Sequence, residues 1–302
     1  MPKQLSQSVI LEYLQLVSGT FNTRTMQNEL NIITSEAKGH LRVILHRLCK
    51  AGIITKTSLD GNYRKLETEK IPIDWQNADP GNIVPLQWPF GLEKYALIYP
   101  KNIAIIAGQK QEGKTTFLYN FIKLNMNKYK IELFNSETGK EQMHDRFTDL
   151  GIPLDAPFDV YERYDNFADV IDPGKISVID YLDLNSEFYL AGAEIDRIFR
   201  KLTTGLAVIG MQIPPSTVTI IKNVRKVIDR DYAYGGGLTA KRAFIYVSLF
   251  SHKLKLKHAK KPAQKNVNPE NMMWTYSFNE QGDFCNIDRY YGEQDGKERL
   301  EF

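Results

Sequence analysis

The sequence predicts an α/β protein in which a small helical domain precedes the main domain. From residue 102, short apolar runs alternate with helical stretches, the order typical of a parallel β-sheet. The first apolar run, Ile103–Ala107, leads directly into a loop that satisfies the pattern G-x-x-x-x-G-K-[ST]. Residues 6–70 show helical periodicity instead and end in a predicted hairpin. These three observations separate a helical first domain from an α/β second one.

The composition is that of an ordinary globular protein. The chain has 302 residues, of which 42% are hydrophobic and 25% are charged. No run approaches the roughly 20 apolar residues of a membrane span, and the N-terminus has no apolar signal core. The two cysteines, Cys49 and Cys285, lie far apart. We therefore expect a cytoplasmic protein with no membrane partner, no disulfide framework and no zinc site.

Positive charge is concentrated in two regions. Residues 1–70 hold 10 Lys/Arg against 6 Asp/Glu, and residues 222–265 hold 12 against 2. Their balances are +4 and +10 in a chain of net charge +3, so the rest of the chain carries −11. This distribution predicts a nucleic-acid partner. A solvated basic face is the alternative for either region.

The first domain, residues 1–70, is predicted as three helices followed by a β-hairpin. The third helix runs from Ser35 to Lys50, and Asp60-Gly61 is a strong hairpin signal. This order resembles the winged helix-turn-helix, which implies that the third helix enters the major groove and that the hairpin meets the backbone. Contact with a partner protein is the alternative. The predicted DNA-binding residues are Lys38, Arg42, Arg47, Lys56 and Arg64.

Prolines mark the next boundary. Residues 71–88 contain Pro72, Pro80 and Pro85, with Pro89 close by and little periodicity, and are predicted to be a linker. The α/β domain is predicted to span residues 89–278. Residues 279–302 carry little pattern and are predicted to be a tail.

The glycine-rich loop after the first strand predicts a nucleotide site. Its glycines let backbone N–H groups curl around phosphates at a helix N-terminus. Lys114 would reach the β- and γ-phosphates, and the Thr115 hydroxyl would bind Mg²⁺. The expected ligands are therefore ATP and Mg²⁺. The predicted nucleotide-binding residues are Gly108, Gln111, Glu112, Gly113, Lys114, Thr115, Thr116 and Asp180.

Three further strands end in polar side chains. Glu137 follows the strand Ile131–Asn135 and could orient the water that attacks the γ-phosphate. Asp180 ends the strand Ile176–Ile179, where it would act with Thr115 at the metal. Gln212 ends the strand Ala207–Met211 and could sense the γ-phosphate. Open α/β sheets bind ligands at the carboxyl edge, so these side chains are expected to meet there.

These motifs resemble the RecA-like ATPases, and among them the hexameric replicative helicases of the DnaB and plasmid RepA type. The segment Phe134–Thr138, with Gln142, Met143 and Arg146, is similar to the helicase segment that carries the catalytic glutamate. The resemblance covers roughly residues 88–278 and implies a RecA-like core that assembles into a ring or filament. Thr138 stands where a methionine is usual, and a winged helix replaces the helicase N-terminal domain. A phage, plasmid or other mobile element is the expected origin.

The same resemblance gives the basic C-terminal half a role. In such proteins the loop after the fourth strand grips single-stranded DNA, which makes Lys226 and Arg230 candidates. A surface hairpin or a protomer contact is the alternative. A cation near Lys257 or Lys260 would reach the neighbour's γ-phosphate, although arginine is usual there.

The leading hypothesis is a DNA-binding ATPase of replication or recombination, helicase- or translocase-like. An ATP-switched regulator that reads duplex DNA is the second hypothesis. A third is an ATPase whose winged helix binds a partner protein.

Overall fold

Two units divide the chain, Met1–Ala78 and Asp79–Phe302. The computed structural model describes residues 5–16, 19–66, 70, 72–182, 188–221, 224–228 and 230–292. Within these ranges, every helix is too short or too polar to cross a membrane.

The first unit is built from three helices and three short strands. Its helix α3 begins where the Thr34 hydroxyl accepts a hydrogen bond from the Ala37 amide, 3.2 Å away. Four apolar side chains at helical spacing, from Leu41 to Leu48, are buried in the core of this unit. The elements are α1 (Gln7–Leu16), β1 (Thr20–Asn22), α2 (Thr23–Glu29), α3 (Ser35–Lys50), β2 (Ile54–Lys56) and β3 (Asn62–Lys65).

The strands form an antiparallel sheet in the order β1-β3-β2. The β2–β3 pair is the predicted hairpin, and Gly61 takes a φ of 74° in its turn. The strand β1 was not predicted, because three residues are too few to show alternation. It is held by the Phe21 ring, which is buried and stacks on Tyr63 at a centroid distance of 5.9 Å.

The second unit contains a nine-stranded sheet in the order β14-β13-β12-β11-β4-β8-β7-β5-β6. The six strands from β11 to β6 in this order are parallel to one another, while β12, β13 and β14 are antiparallel additions. The strands are β4 (Ile103–Gly108), β5 (Ile131–Asn135), β6 (Phe158–Glu162), β7 (Ile176–Asp180), β8 (Leu206–Gln212), β11 (Ala243–Phe250), β12 (Lys253–Ala259), β13 (Met272–Phe278) and β14 (Phe284–Tyr290).

Helices cover the sheet, and a separate hairpin follows β8. Buried residues form one cluster on each face of the sheet, which is why the central strands are apolar throughout rather than alternating. The hairpin is a two-stranded antiparallel pair. These elements are α4 (Lys114–Asn125), α5 (Lys140–Asp149), α6 (Phe188–Lys201), β9 (Thr217–Ile221), β10 (Val224–Ile228) and α7 (Gly237–Ala240).

Two predicted boundaries differ from the structure. The predicted tail, residues 279–302, contains β14, which pairs with β13 and packs Phe284 against Tyr276 at 5.0 Å. The predicted linker, residues 71–88, includes Trp88, which is 3% exposed and lies 4.6 Å from the Phe121 ring. Both segments lack periodicity, but packing of these aromatic rings makes residues 79–88 and β14 part of the second unit, whereas residues 72–78 belong to the first.

Candidate nucleotide-binding site

The loop between β4 and α4 has two glycines that the surrounding structure requires. A Cβ on Gly108 would lie 2.6 Å from the Lys114 Cγ. Gly113 has a φ of 83°, and a Cβ there would lie 2.8 Å from the Phe278 ring. Larger residues are therefore excluded on steric grounds at both ends of the loop. The loop backbone can then curl at the start of α4, the geometry that favours phosphate groups.

Lys114 and Thr115 are both buried at the first turn of α4. The Thr115 hydroxyl donates a hydrogen bond to Oδ1 of Asp180, 3.2 Å away. Burial lowers the pKa of Lys114, while the carboxylates of Glu137, Asp180 and Glu112 act in the opposite direction. The Lys114 ammonium donates a long hydrogen bond of 3.3 Å to the Gln109 carbonyl. A partly desolvated ammonium that is held this loosely is available to a multiply charged anion.

The predicted strand-end residues converge on the carboxyl edge of the sheet. The strands β4, β8, β7 and β5 are consecutive neighbours and parallel, so their carboxyl ends meet. A cleft of about 800 Å³ lies there. Of the predicted residues, Gln111, Gly113, Lys114, Thr115, Thr116, Glu137 and Gln212 line it, and Asp180 reaches it through Thr115.

The side chain of Glu112 differs from the prediction. Its carboxylate accepts hydrogen bonds from the His252 amide at 2.8 Å and from the Tyr276 hydroxyl at 3.2 Å. Tyr276 also donates to the Glu112 carbonyl at 2.8 Å. The Glu112 side chain is therefore directed to β12 and β13 and not to the cleft, and it anchors the loop from behind.

The cleft also contains residues that the motifs did not predict as site residues. Tyr119 from α4 and Tyr181 after β7 line it. Arg146 from α5 also lines it; this residue was part of the helicase-like segment but was not a predicted site residue. The turn between β13 and β14 supplies a further wall, where the Thr116 hydroxyl donates to the Gly282 carbonyl at 3.3 Å. That turn lies in the predicted tail. Tyr119 stands four residues after Thr115, so helical spacing alone could have placed it on the same face.

The donor set at this edge fits Mg²⁺, which prefers oxygen ligands. Asp180 is fully buried, and its Oδ2 has no hydrogen-bond partner among the described residues. Burial raises the pKa of Asp180 to about 6, and the hydrogen bond from Thr115 opposes this change. Within the same ranges, no three His, Cys, Asp or Glu side chains form a metal-binding group. Water and ligand oxygens would complete the shell of a bound Mg²⁺.

The predicted DNA-binding residues of the first unit lie on α3 and on the strands β2 and β3. None of the five forms an ion pair with another described residue. Arg42 and Arg47 are exposed and lie on opposite sides of the solvent-facing surface of α3. Val43, which is 47% exposed, lies between them and was not predicted.

The predicted single-strand segment contains the β9–β10 hairpin. Lys226 lies on β10, and Arg230 is exposed just after it; Lys222 lies outside the described residues. Hydrogen bonds connect the base of this hairpin to the loop between β4 and α4. The Gln109 side-chain amide donates to the Ser216 hydroxyl at 2.8 Å, and the Ile213 backbone amide donates to the Gly108 carbonyl at 2.9 Å.

Neither Lys257 nor Lys260 lines the cleft. Lys257 is held by Asp231, with 2.8 Å between Nζ and Oδ2, and lies over the Tyr232 ring. Lys260 is exposed at the end of β12 and has no ion pair with a described residue. Asp231 also binds Lys255 at 2.9 Å, so the acidic residue ties β12 to the segment after β10.

No protein-family model matches the chain, and no curated protein matches it by sequence. It is similar to a solved ATPase domain (16% identity over 63% of this chain and 86% of that one, TM-score 0.44). It is also similar to a DnaB-like replicative helicase solved in a study of its interactions with primase (15%, 70% and 66%, TM-score 0.49). A third similar structure is the RadB recombinase (13%, 62% and 90%, TM-score 0.40). These TM-scores carry no argument about the second unit. Its strand order defines a mixed α/β fold, in which a glycine-containing loop connects β4 to α4.

Asp180 gives the site a pH dependence. A carboxyl group with a raised pKa must lose its proton before it can bind a cation, so affinity for Mg²⁺-ADP should fall about tenfold per pH unit below pH 6. Without ligand the contribution of Asp180 to stability has the opposite sign: it is fully present below pH 4, and about 3 kcal/mol is lost as the pH rises from 4 through 6. Asp180→Asn should abolish this stability change, whereas Asp145→Asn on exposed α5 should not. Calorimetric titrations and melting curves from pH 4 to 8 measure both, and a flat wild-type profile would contradict the assignment.

Proposed function

We propose that this protein is a RecA-like ATPase that hydrolyses ATP with Mg²⁺ and acts on DNA. The observation that carries the proposal is the convergence of Lys114, Thr115, Asp180 and Glu137 on one cleft at the carboxyl edge of a parallel sheet. The known structures that it resembles are an ATPase domain, a helicase and a recombinase. Their low TM-scores leave the proposal to rest on the site itself.

Each residue would have a separate task. Backbone amides of the loop and the Lys114 ammonium would hold the phosphates. Thr115 and Asp180 would hold Mg²⁺, which when bound neutralises charge that develops on the phosphate oxygens. Glu137 is exposed at the cleft, so it can accept a hydrogen bond from the attacking water and orient it. Gln212 lies across the cleft on β8, where an amide could bond to a phosphate oxygen.

DNA would bind at two places. The three helices and three strands of the first unit follow the element order of a winged helix, and the exposed cationic side chains of α3 would meet duplex DNA. The β9–β10 hairpin and Arg230 would meet a single strand. The hydrogen bond that Gln109 donates to Ser216 and the one that Gly108 accepts from Ile213 supply a physical connection through which DNA binding would alter the loop between β4 and α4.

Self-association into a ring or filament would complete the catalytic site. No described cation other than Lys110, Lys114 and Arg146 lines the cleft. A basic residue from a second copy would therefore add charge near the γ-phosphate. Lys260 suits this role better than Lys257, because Lys257 is already ion-paired with Asp231. An origin in a phage, plasmid or other mobile element stays a prediction.

The role of Glu137 predicts that Glu137→Gln retains nucleotide affinity and loses turnover by about a hundredfold or more, since the amide cannot take a proton from water. The measurement is steady-state phosphate release together with direct binding of a fluorescent ATP analogue. Glu141→Gln changes an exposed carboxylate on α5 and should hydrolyse ATP normally. Equal turnover in the two variants would remove Glu137 from this role.

The hairpin assignment predicts that single-stranded DNA stimulates hydrolysis and that Lys226→Ala/Arg230→Ala reduces the stimulation. Each lost phosphate contact with a single strand should reduce the slope of log affinity against log salt by about 0.7. Lys128→Ala/Lys130→Ala, which removes charges near the start of β5, is the matched control. If duplex DNA stimulates ATP hydrolysis by the wild-type protein and single-stranded DNA does not, the ATP-switched regulator is favoured instead.

Completion of the site between subunits predicts complementation. Protein carrying Lys260→Ala and protein carrying Lys114→Ala should each be inactive, whereas their mixture should recover part of the wild-type rate, because some mixed interfaces contain both lysines. Wild-type turnover per subunit should also rise with protein concentration through the range in which it assembles. Turnover that is independent of concentration, with no recovery in the mixture, would mean that each subunit works alone.

A further inference from the structure

Two buried polar side-chain atoms have no hydrogen-bond partner among the described residues: the Tyr119 hydroxyl and Oδ2 of Asp180. Both residues are 0% exposed. More than nine in ten buried polar groups in proteins are hydrogen-bonded, and an unsatisfied one is unfavourable. Asp180 already has a proposed role at the metal. Tyr119 has none, so its hydroxyl needs an explanation.

Packing explains the ring of Tyr119 but not its hydroxyl. The ring belongs to the core cluster beneath α4 and meets the Phe147 ring edge-on at 4.9 Å. A phenylalanine would fill the same volume and leave no polar atom unsatisfied. Tyr119 nevertheless lines the cleft, one helical turn after Thr115 and on the same face of α4. Packing in the core therefore accounts for the ring of Tyr119 and leaves its hydroxyl without an explanation.

The surroundings of the hydroxyl make it a donor. Burial, followed by the negative charge of Asp180, raises the pKa of Tyr119 far above its ordinary value, so the group keeps its proton at every physiological pH. Glu137 acts in the same direction, whereas Arg146 and a weak hydrogen-bond interaction with the Thr138 side chain lower the pKa of Tyr119. The Thr138 hydroxyl itself donates to Oδ1 of Asn135 at 2.9 Å. Tyr119 thus offers a hydrogen, and nearby Oδ2 of Asp180 offers a lone pair, yet the two are not bonded to each other.

We propose that Tyr119 is a binding residue of the nucleotide cleft, whose hydroxyl donates a hydrogen bond to an oxygen atom of the Mg²⁺-nucleotide complex beside Asp180. That oxygen is either a phosphate oxygen or a water held by the metal. The assignment rests on the proposed function and adds a contact outside the G-x-x-x-x-G-K-[ST] motif.

The test is Tyr119→Phe, which removes only the hydroxyl. Without ligand, the variant should melt at the wild-type temperature or above it, because an unsatisfied buried group is gone. Its affinity for Mg²⁺-ADP should fall about tenfold to a hundredfold, the usual effect of losing a hydrogen bond to a charged group. Binding is measured calorimetrically and through the rise in melting temperature that saturating ligand produces.

Tyr246→Phe is the matched control. Tyr246 is equally buried, but its hydroxyl oxygen accepts a hydrogen bond from the Ala233 amide at 2.9 Å. Its loss should lower the ligand-free melting temperature and leave Mg²⁺-ADP affinity unchanged. Tyr119→Phe should therefore lower affinity without lowering stability, whereas Tyr246→Phe should lower stability without lowering affinity.

Titration with ADP in EDTA separates the two sources of the oxygen. Weaker binding of Tyr119→Phe with and without Mg²⁺ identifies a phosphate oxygen, whereas a loss confined to Mg²⁺-ADP identifies a metal-held water. A Tyr119→Phe protein that melts lower and binds Mg²⁺-ADP like wild type overturns the proposal and makes the tyrosine structural. If the wild-type protein binds no nucleotide, and Lys114→Ala does not differ from it, the proposed function itself is overturned, and this contact with it.

Discussion

The burial of β4 between β8 and β11 is the constraint on which the candidate site depends. All six residues of β4 are buried, and parallel partners pair with it on both sides. Backbone groups in such a position must stay hydrogen-bonded, so the chain can turn only where the strand ends. Gly108 lies at that point, and the loop that follows passes directly into α4. Because β8, β7 and β5 run in the same direction, their polar ends meet the same loop.

The antiparallel strands on one side of the sheet hold this loop in shape. His252 and Tyr276 bind the Glu112 carboxylate, and the rings of Phe278 and Phe284 pack against Gly113. Phe278 lines the cleft, whereas the contacts of Glu112 do not, and both sets of contacts hold the loop in position beside α4. A loop whose backbone is fixed by its surroundings loses little conformational freedom when a ligand binds. The same strands also supply the turn that closes one wall of the cleft.

Electrostatics leave the ligand-free site incompletely balanced. Burial lowers the pKa of Lys114 and raises that of Asp180, so each group disfavours its charged form. An anion near Lys114 and a cation near Asp180 would each relieve the cost of desolvation. A phosphate chain carrying a divalent cation supplies both charges at once. Desolvation of these two residues lowers the free energy of unfolding. A ligand that offsets this cost would bind more tightly by the same amount of free energy.

Patterns contained in one continuous segment were predictable, and contacts between distant segments were not. The bounds of α3, Ser35–Lys50, and the passage from β4 through the loop to α4 follow from helical spacing, a capping hydroxyl and a glycine motif, all of which act locally. The orientation of Glu112 depends instead on Tyr276, which lies 164 positions further along the chain. The surroundings of the orphaned Tyr119 hydroxyl likewise depend on Asp180, from a different strand. Such contacts have no local signature, because packing decides them only after the sheet has brought its strands together.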